Sequence, residues 1–325
     1  MKVLVTGASS LLLGGVARTL LERGDEVICL QRRAVDLDTE QVLTDVRDAE
    51  AVARAAIGCD AIVHGAAKVG VVGPWSEYRG VNVDGTANVI DAALAAGAAR
   101  FVHVSSPSVA HGGSAIVGAG AEPAVTGRKR AWYAESKAHA ERLALAAVDD
   151  HPLGLVVVRP HLVWGPGDTQ LVGRIVERAA AGRLALVGGG TALVDTTYVD
   201  NAVSALVAAL DAVEPGAICS GRAYVIANGE PRPIRDLVAG ICHAAGVPFA
   251  PRDVPGSAAR TAGSLVERVW PLVRDGEPPL TRFVAEQLGT AHWFDPRPAR
   301  DDLGWHPSVS VDEGLVRLAA SYAAD

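Results

Sequence analysis

Tyr133-Ala134-Glu135-Ser136-Lys137 places a phenol and an ammonium four residues apart, so on a helix both project from one face about one turn apart. A phenol ordinarily ionises near ~10, and a nearby ammonium stabilises the phenolate and brings that value toward neutral pH, where it can exchange a proton with substrate. Twenty-seven positions upstream of Tyr133, Phe101-Val102-His103-Val104-Ser105-Ser106 is a β-run that ends in two hydroxyls. In open parallel sheets ligands sit at the C-terminal ends of strands. A hydroxyl at Ser106 therefore holds a carbonyl oxygen while Tyr133 supplies the proton; Ser105 is the neighbour with which it is most easily confused. Pro107 and Ser108 follow the serines and Ala134 follows the tyrosine, so there is no Asp-Glu pair of the kind a sugar dehydratase requires.

A second set of residues points to a bound dinucleotide. In Val5-Thr6-Gly7-Ala8-Ser9-Ser10-Leu11-Leu12-Leu13-Gly14-Gly15 a glycine follows a strand and precedes a helix, where a pyrophosphate is held by amides and the helix N-terminus. Gly7 holds the tight-turn position, with Ser9, Ser10, Leu11 and Leu12 along the phosphate path. Ser10 stands where the fingerprint has its second glycine, and Leu13 where it has the third, which permits close packing of helix on strand. The second strand ends in Leu30-Gln31-Arg32-Arg33, with no acid to bind a ribose 2′-hydroxyl and two guanidiniums that match a 2′-phosphate. The expected cofactor is NADPH rather than NADH. Asp45, with Val46 beside it, is placed either against the adenine or as the cap of the next helix.

These residues need a doubly wound scaffold, and the chain has its rhythm. Apolar strand patterns at 2–5, 26–30, 61–64, 100–105 and 154–159 alternate with helical patterns at 15–22, 49–56, 84–96 and 134–148, the signature of βαβ units and a parallel sheet. Beyond Pro160 the expected helices are 171–181, 199–211, 234–245 and 280–288. The fold class is α/β, a Rossmann-type doubly wound parallel sheet with a smaller C-terminal α/β substrate lobe. Residues 1–160 form the dinucleotide-binding domain, 190–228 return to it, and 161–189 with 229–325 form the lobe. The stretch 248–279 reads as a connection or lid, since Val266, Val269, Trp270 and Leu272 call for burial.

Composition bounds the rest. The 325 residues are 49% hydrophobic and 21% charged, as in an ordinary globular protein, and the net charge of −7 comes without a basic block, so nucleic acid is not an expected partner. No apolar run approaches the ~18 residues of a membrane helix, and the N-terminal apolar residues break into Gly7 too early for a signal peptide. Cys29, Cys59, Cys219 and Cys242 lack any metal-binding or redox spacing, which fits reduced thiols in a cytoplasmic protein with no metal site.

The strand-1 Thr-Gly, the strand ending in Ser-Ser and the downstream YxxxK together resemble the extended short-chain dehydrogenase/reductase superfamily. His64-Gly65-Ala66-Ala67-Lys68, Asn82-Val83-Asp84-Gly85-Thr86, Arg159-Pro160-His161-Leu162-Val163-Trp164-Gly165-Pro166-Gly167-Asp168, Tyr198-Val199-Asp200-Asn201 and Ala291-His292-Trp293-Phe294-Asp295 are similar to the 3β-hydroxysteroid dehydrogenase-like branch, and within it to bacterial 2-alkyl-3-oxoalkanoate reductases. The resemblance implies that Tyr133 is the general acid in reduction and that Lys137 lowers its pKa and binds the nicotinamide ribose. It implies that Ser106 holds the carbonyl and that Asn82 is structural or part of a proton relay. Gly65, Ala66 and Ala67 would line the adenosine and ribose path, and Pro160, His161 and Val163 would approach the nicotinamide. A homodimer is the family expectation.

The apolar segments 69–75 and 162–164 favour a small apolar keto substrate, a β-keto acid, thioester, steroid or polyketide-like ketone. Two other readings stay open: an NAD-dependent sugar-nucleotide epimerase or hydroxysteroid dehydrogenase, and a non-redox cyclase, isomerase or binding protein in which Leu13 has closed the cofactor loop.

Overall fold

The computed structural model describes residues 1–70, 73–127, 131–259, 261–263, 266, 286 and 289–324. Its central element is a seven-stranded parallel sheet in the order β12-β7-β5-β4-β1-β2-β3. The strands are β1 (Lys2–Thr6), β2 (Glu26–Gln31), β3 (Glu40–Leu43), β4 (Ala61–His64), β5 (Arg100–Val104), β7 (Gly154–Pro160) and β12 (Arg222–Ile226). Most of their residues are buried, because helices cover both faces of the sheet, and that is why the strands read as apolar runs rather than as an alternation.

On one face α1 (Leu11–Glu22) packs beside α7 (Val199–Ala212), with the C-terminal helices α9 (Arg297–Leu303) and α10 (Val311–Ala324) contributing to the same core. On the other face lie α2 (Ala49–Ala56), α4 (Gly85–Ala96) and α5 (Trp132–Asp150). Strand order reverses direction between β1 and β4, and the crevice for a ligand opens there, at the carboxyl ends of the strands.

The five expected strands are present, and two strands of the large sheet escaped the pattern. β3 is an edge strand with no fully buried residue, so it carries no apolar alternation. β12 lies beyond the second crossover, pairing with β7 from Arg222 to Ile226. The helix expected from 84 begins at Gly85, after a π-helical turn at Arg79–Asp84. Residues 297–318, expected in the lobe, pack largely on the large sheet's core through Ala299, Leu303, Trp305, Val309 and Leu318.

The smaller elements cluster beside the strand ends. A four-stranded sheet runs β13 (Arg232–Pro233), β10 (Leu193–Val194), β15 (His292–Phe294), β6 (Ile116–Ala119), and β8 (Val163–Trp164) pairs with β11 (Thr197–Tyr198). The helices α6 (Val172–Ala180) and α8 (Ile234–Ala244) pack on each other. All of the helix expected at 280–288 except residue 286, and half of the stretch 248–279, with Val269, Trp270 and Leu272, lie outside the described residues. All four cysteines are buried and free, and burial pushes the Cys29 thiol up to about 11.

Candidate active site

A cleft of about 1040 Å³ runs along the carboxyl ends of β1, β2, β4 and β5. At one end it is bordered by the β1–α1 turn, with Gly7, Ser9, Ser10, Leu11 and Leu12. Gly7 has φ +85°, and a Cβ there would lie 2.9 Å from both Cα and N of Ala66, so the position admits only glycine. The turn thus presses against the β4 loop, whose Gly65, Ala66 and Ala67 also line the cleft.

The two departures from the glycine fingerprint have structural answers. Ser10 caps α1: its hydroxyl accepts from Leu13 N at 3.2 Å and donates to the Gly7 carbonyl at 2.9 Å. Leu13 is buried over Gly65, where a Cβ would stand 2.5 Å from Leu13 Cδ2. The space that a fingerprint glycine would leave on the helix is left on the opposing loop instead. Close approach of α1 to its surroundings is carried by the next two residues: a Cβ on Gly14 would meet the Ala8 carbonyl oxygen at 2.8 Å, and one on Gly15 would meet Val203 at 2.6 Å. The Gly-Gly pair in the sequence was the signal for this compensation.

At the far end of the turn, exposed Arg32 and Arg33 line the cleft together with Asp45, Val46 and Arg47. Asp45 accepts from Arg47 Nε at 2.9 Å, and this pairing holds its carboxyl below the usual range. Asp48, not Asp45, caps α2, accepting from Ala51 N at 3.0 Å. The glycine cradle and the opening of α1 together fit a dinucleotide.

The candidate reacting groups meet where the cleft passes the end of β5. Ser106, Tyr133, Lys137 and Pro160 all line it, as does Val163. Ser106 Oγ lies 2.9 Å from Ser108 Oγ, and Ser106 and Tyr133 border the cleft together. Lys137, buried on the next turn of α5, donates to the Val104 carbonyl at 2.5 Å; burial pulls its pKa down to about 8, with Glu141 opposing. Burial raises the Tyr133 phenol, the bond to Ser106 countering in part. The expected lowering of Tyr133 by Lys137 is therefore not met: the ammonium is engaged by a main-chain carbonyl, and desolvation dominates the phenol.

Ser105 also borders the cleft, but its hydroxyl is committed. It donates to Glu141 Oε2 at 2.6 Å, and Glu141 is paired with Arg159, whose Nε donates to the same oxygen at 2.9 Å and whose Nη1 donates to the Glu122 carbonyl at 2.8 Å. Both charged partners are essentially without solvent exposure. This pair ties the ends of β5 and β7 to α5, and no local pattern marks it because its two residues come from different elements. Asn82 is likewise used up: it accepts from Lys68 N at 2.7 Å and donates to the Lys68 carbonyl at 3.0 Å and to Ser136 Oγ at 2.8 Å. It anchors the β4 loop to α5 and does not line the cleft.

A buried chain supports the loop from below. Thr6 Oγ1 accepts the amides of Gly65 and Ala66 at 3.2 Å each, so its own proton goes to His64 Nδ1 at 2.7 Å; His64 Nε2 then donates to Thr86 Oγ1 at 2.9 Å, which donates to the Asn82 carbonyl at 2.7 Å. Burial, helped by Lys137, pushes the His64 pKa down to about 3. Sequence reading passed over this role for His64 because it depends on residues from three distant segments.

His161 stands apart from the other expected cofactor contacts. It does not line the long cleft but a second pocket, of about 170 Å³, that opens beyond Ser106, Tyr133 and Pro160.

A doubly wound parallel sheet with a dinucleotide cradle at its switch point and a Ser/Tyr/Lys group at a strand end defines an NAD(P)-dependent oxidoreductase of the extended short-chain dehydrogenase/reductase type. The chain belongs to the NAD dependent epimerase/dehydratase family, whose pattern it matches over residues 3–227. It is 47% identical to a 2-alkyl-3-oxoalkanoate reductase of Stenotrophomonas maltophilia (strain K279a), over the whole of both chains. It is 32% identical to a 3-beta-hydroxysteroid dehydrogenase of Mycolicibacterium neoaurum, covering 99% of this chain and 91% of that one. Among solved structures it is similar to a dTDP-glucose 4,6-dehydratase double mutant of Streptomyces venezuelae with NAD bound, at TM-score 0.75 and 25% identity over 100% of this chain and 98% of that one. Among the described residues no helix is long and apolar enough to cross a membrane.

Proposed function

We propose that the protein reduces the ketone of an apolar 2-alkyl-3-oxo acid with NADPH, Tyr133 donating the proton. The observation that carries this reading is that Ser106 and Tyr133 both line the dinucleotide cleft and the smaller pocket beside it, and so stand at the boundary between the two. The similarity to 2-alkyl-3-oxoalkanoate reductases supports the substrate class. Gly7, the first turn of α1 and the 65–67 loop would hold the pyrophosphate and adenosine, and Arg32 and Arg33 the 2′-phosphate. When bound, the dinucleotide supplies the hydride.

The chain's own residues do the rest. As negative charge develops on the carbonyl oxygen, Ser106 donates to it and Tyr133 gives up its phenolic proton. A phenol raised by burial holds its proton in the resting state, which suits an acid in the reductive direction. Lys137, cationic below about pH 8 and lining the same cleft, would bind the nicotinamide ribose. The Glu141–Arg159 pair fixes the strand end that presents Ser106.

The test is fluorescence titration with NADPH and NADH, followed by reduction of a 2-alkyl-3-oxo acid. NADPH is expected to bind at least tenfold tighter than NADH, and R32A/R33A to bring the two within a factor of about three; Y133F is expected to lose at least ~10²-fold in turnover. Equal affinity for the two nucleotides in the wild type, or an active Y133F, refutes the corresponding part. A homodimer in the cytoplasm remains the proposed setting.

A further inference from the structure

We propose that the pocket beyond Tyr133 is an acid-recognition site, in which the His161 imidazole, edged by His292, takes the free carboxylate of the substrate. This rests on the ketoreductase reading, whose 2-alkyl-3-oxo acid it takes over, and assigns the residue that would meet the carboxylate of that acid.

The pocket shares Ser106 and Tyr133 with the dinucleotide cleft, so a group bound in it lies next to the reacting carbonyl, as the carboxyl of a 3-oxo acid must. Ile116, Leu162 and Phe294 make part of its wall apolar, and Ser108 adds a hydroxyl. The titratable groups that line it are Tyr133 and three histidines, His111, His161 and His292; no Asp, Glu, Lys or Arg borders it among the described residues. A pocket with imidazoles and no acid repels no anion. Its volume of about 170 Å³ is below the roughly 300–1,000 Å³ of pockets for drug-sized ligands and suits one short end of a substrate, not a pantetheine-length arm.

His161 is held as a binding residue would be. Its amide donates to the Ile226 carbonyl at 2.9 Å, its carbonyl accepts from Thr197 Oγ1 at 2.7 Å, and its Nδ1 donates to the Asp195 carbonyl. The ring packs edge-on to His292, with centroids 4.9 Å apart, and to Phe294 at 5.0 Å. The next residue, Leu162, has φ +42°, the only non-glycine residue in the left-handed region among the described residues. Such backbone strain concentrates where a site demands it.

The hydrogen bonding dictates the chemistry. With Nδ1–H directed at Asp195, the neutral ring has a bare Nε2, which cannot donate to a carboxylate, itself only an acceptor. Pairing therefore needs one proton taken from solvent: imidazole plus carboxylate plus H⁺ gives an imidazolium–carboxylate pair. The groups facing His161 are His292 from β15, His111 from the turn after β5, Tyr133 from α5 and the Asp195 main chain, while the Asp195 carboxylate is turned to the amides of Gly229 and Glu230. Burial and the two other histidines disfavour the charged form of the His161 ring, whose pKa is pushed down to about 3.

The experiment is calorimetric titration of the wild-type protein, saturated with NADPH so that no turnover occurs, with 2-methyl-3-hydroxyhexanoic acid and with its methyl ester. Each titration is run at pH 7.5 in two buffers of different ionisation enthalpy. The acid is expected to bind at least tenfold tighter than the ester and to take up about one proton, the ester none; H161Q is expected to lose both the preference and the uptake. Equal affinities, no proton uptake by the acid, or an unchanged acid preference in a folded H161Q overturns the proposal. The wild-type titration decides the matter should H161Q not fold. Oxidation of the same compounds with NADP⁺ is scored separately: an acid that binds with proton uptake but is not oxidised sinks the ketoreductase reading alone, whereas acid and ester bound and oxidised equally sink only the acid site.

Discussion

Gly65→Ala probes how this chain tolerates a leucine where the dinucleotide fingerprint has glycine. Gly65 does not have a positive φ, so alanine meets no backbone penalty there, and the change removes freedom from the unfolded chain worth about 0.4–1 kcal/mol in favour of folding. Against this, the new Cβ would lie 2.5, 2.7 and 2.9 Å from Cδ2, Cγ and Cδ1 of Leu13, which is 3% exposed and enclosed by the core of the α1 face. Overpacking of this kind costs about 1–3 kcal/mol, so the net loss is about 1–2 kcal/mol. Leu13→Ala alone leaves a cavity and costs about 2–5 kcal/mol. In the double variant the alanine methyl at 65 enters the vacated space, so Gly65→Ala in the Leu13→Ala background is expected to be neutral or stabilising, a coupling of about 1–2 kcal/mol. Urea unfolding of the four proteins measures the cycle, and NADPH affinity should follow the same pattern because both residues border the cleft. Additive losses would refute the complementarity of Leu13 and Gly65.

Two further outcomes follow from buried charge. Glu141→Gln leaves the Arg159 guanidinium buried without its counter-charge and is expected to cost about 3–5 kcal/mol in urea unfolding, whereas replacing both partners by apolar residues of similar volume should cost much less; equal losses would show that the pair itself, rather than the stranded charge, is what matters. Burial raises the Asp195 carboxyl to about 6 despite the amides of Gly229 and Glu230. Its folded pKa lies above the unfolded value, so its contribution to stability is present in full below about pH 4 and is lost as pH rises through about 6. The destabilisation caused by Asp195→Asn should accordingly be larger at pH 4.5 than at pH 7.5, by about 2 kcal/mol; a difference independent of pH would contradict the assignment.

Much of the scaffold was legible because it rests on local pattern. Parallel strands buried on both faces show as apolar runs, amphipathic helices as three- and four-residue spacing, and a strand-turn-helix glycine as a phosphate loop; hence five central strands, Gly7, and the strand-end placement of Ser106 opposite Tyr133 could be read directly. The edge strand β3 could not, since a strand with no fully buried residue carries no such signal.

What the amino-acid sequence alone determined was which chemical groups are present and on which elements they ride: two hydroxyls at a strand end, a phenol and an ammonium on one helical face, guanidiniums after the second strand. Only tertiary structure decided how those groups are used. It turned Ser105 toward Glu141 and left Ser106 to the pocket, closed Asn82 into a clamp between the β4 loop and α5, placed Gly65 under Leu13, and brought His111, His161 and His292, from segments up to 181 positions apart, into one wall. Each of these depends on which distant side chain arrives within hydrogen-bonding or van der Waals reach. That is set by how helices and loops pack across the sheet, and local periodicity carries no record of it.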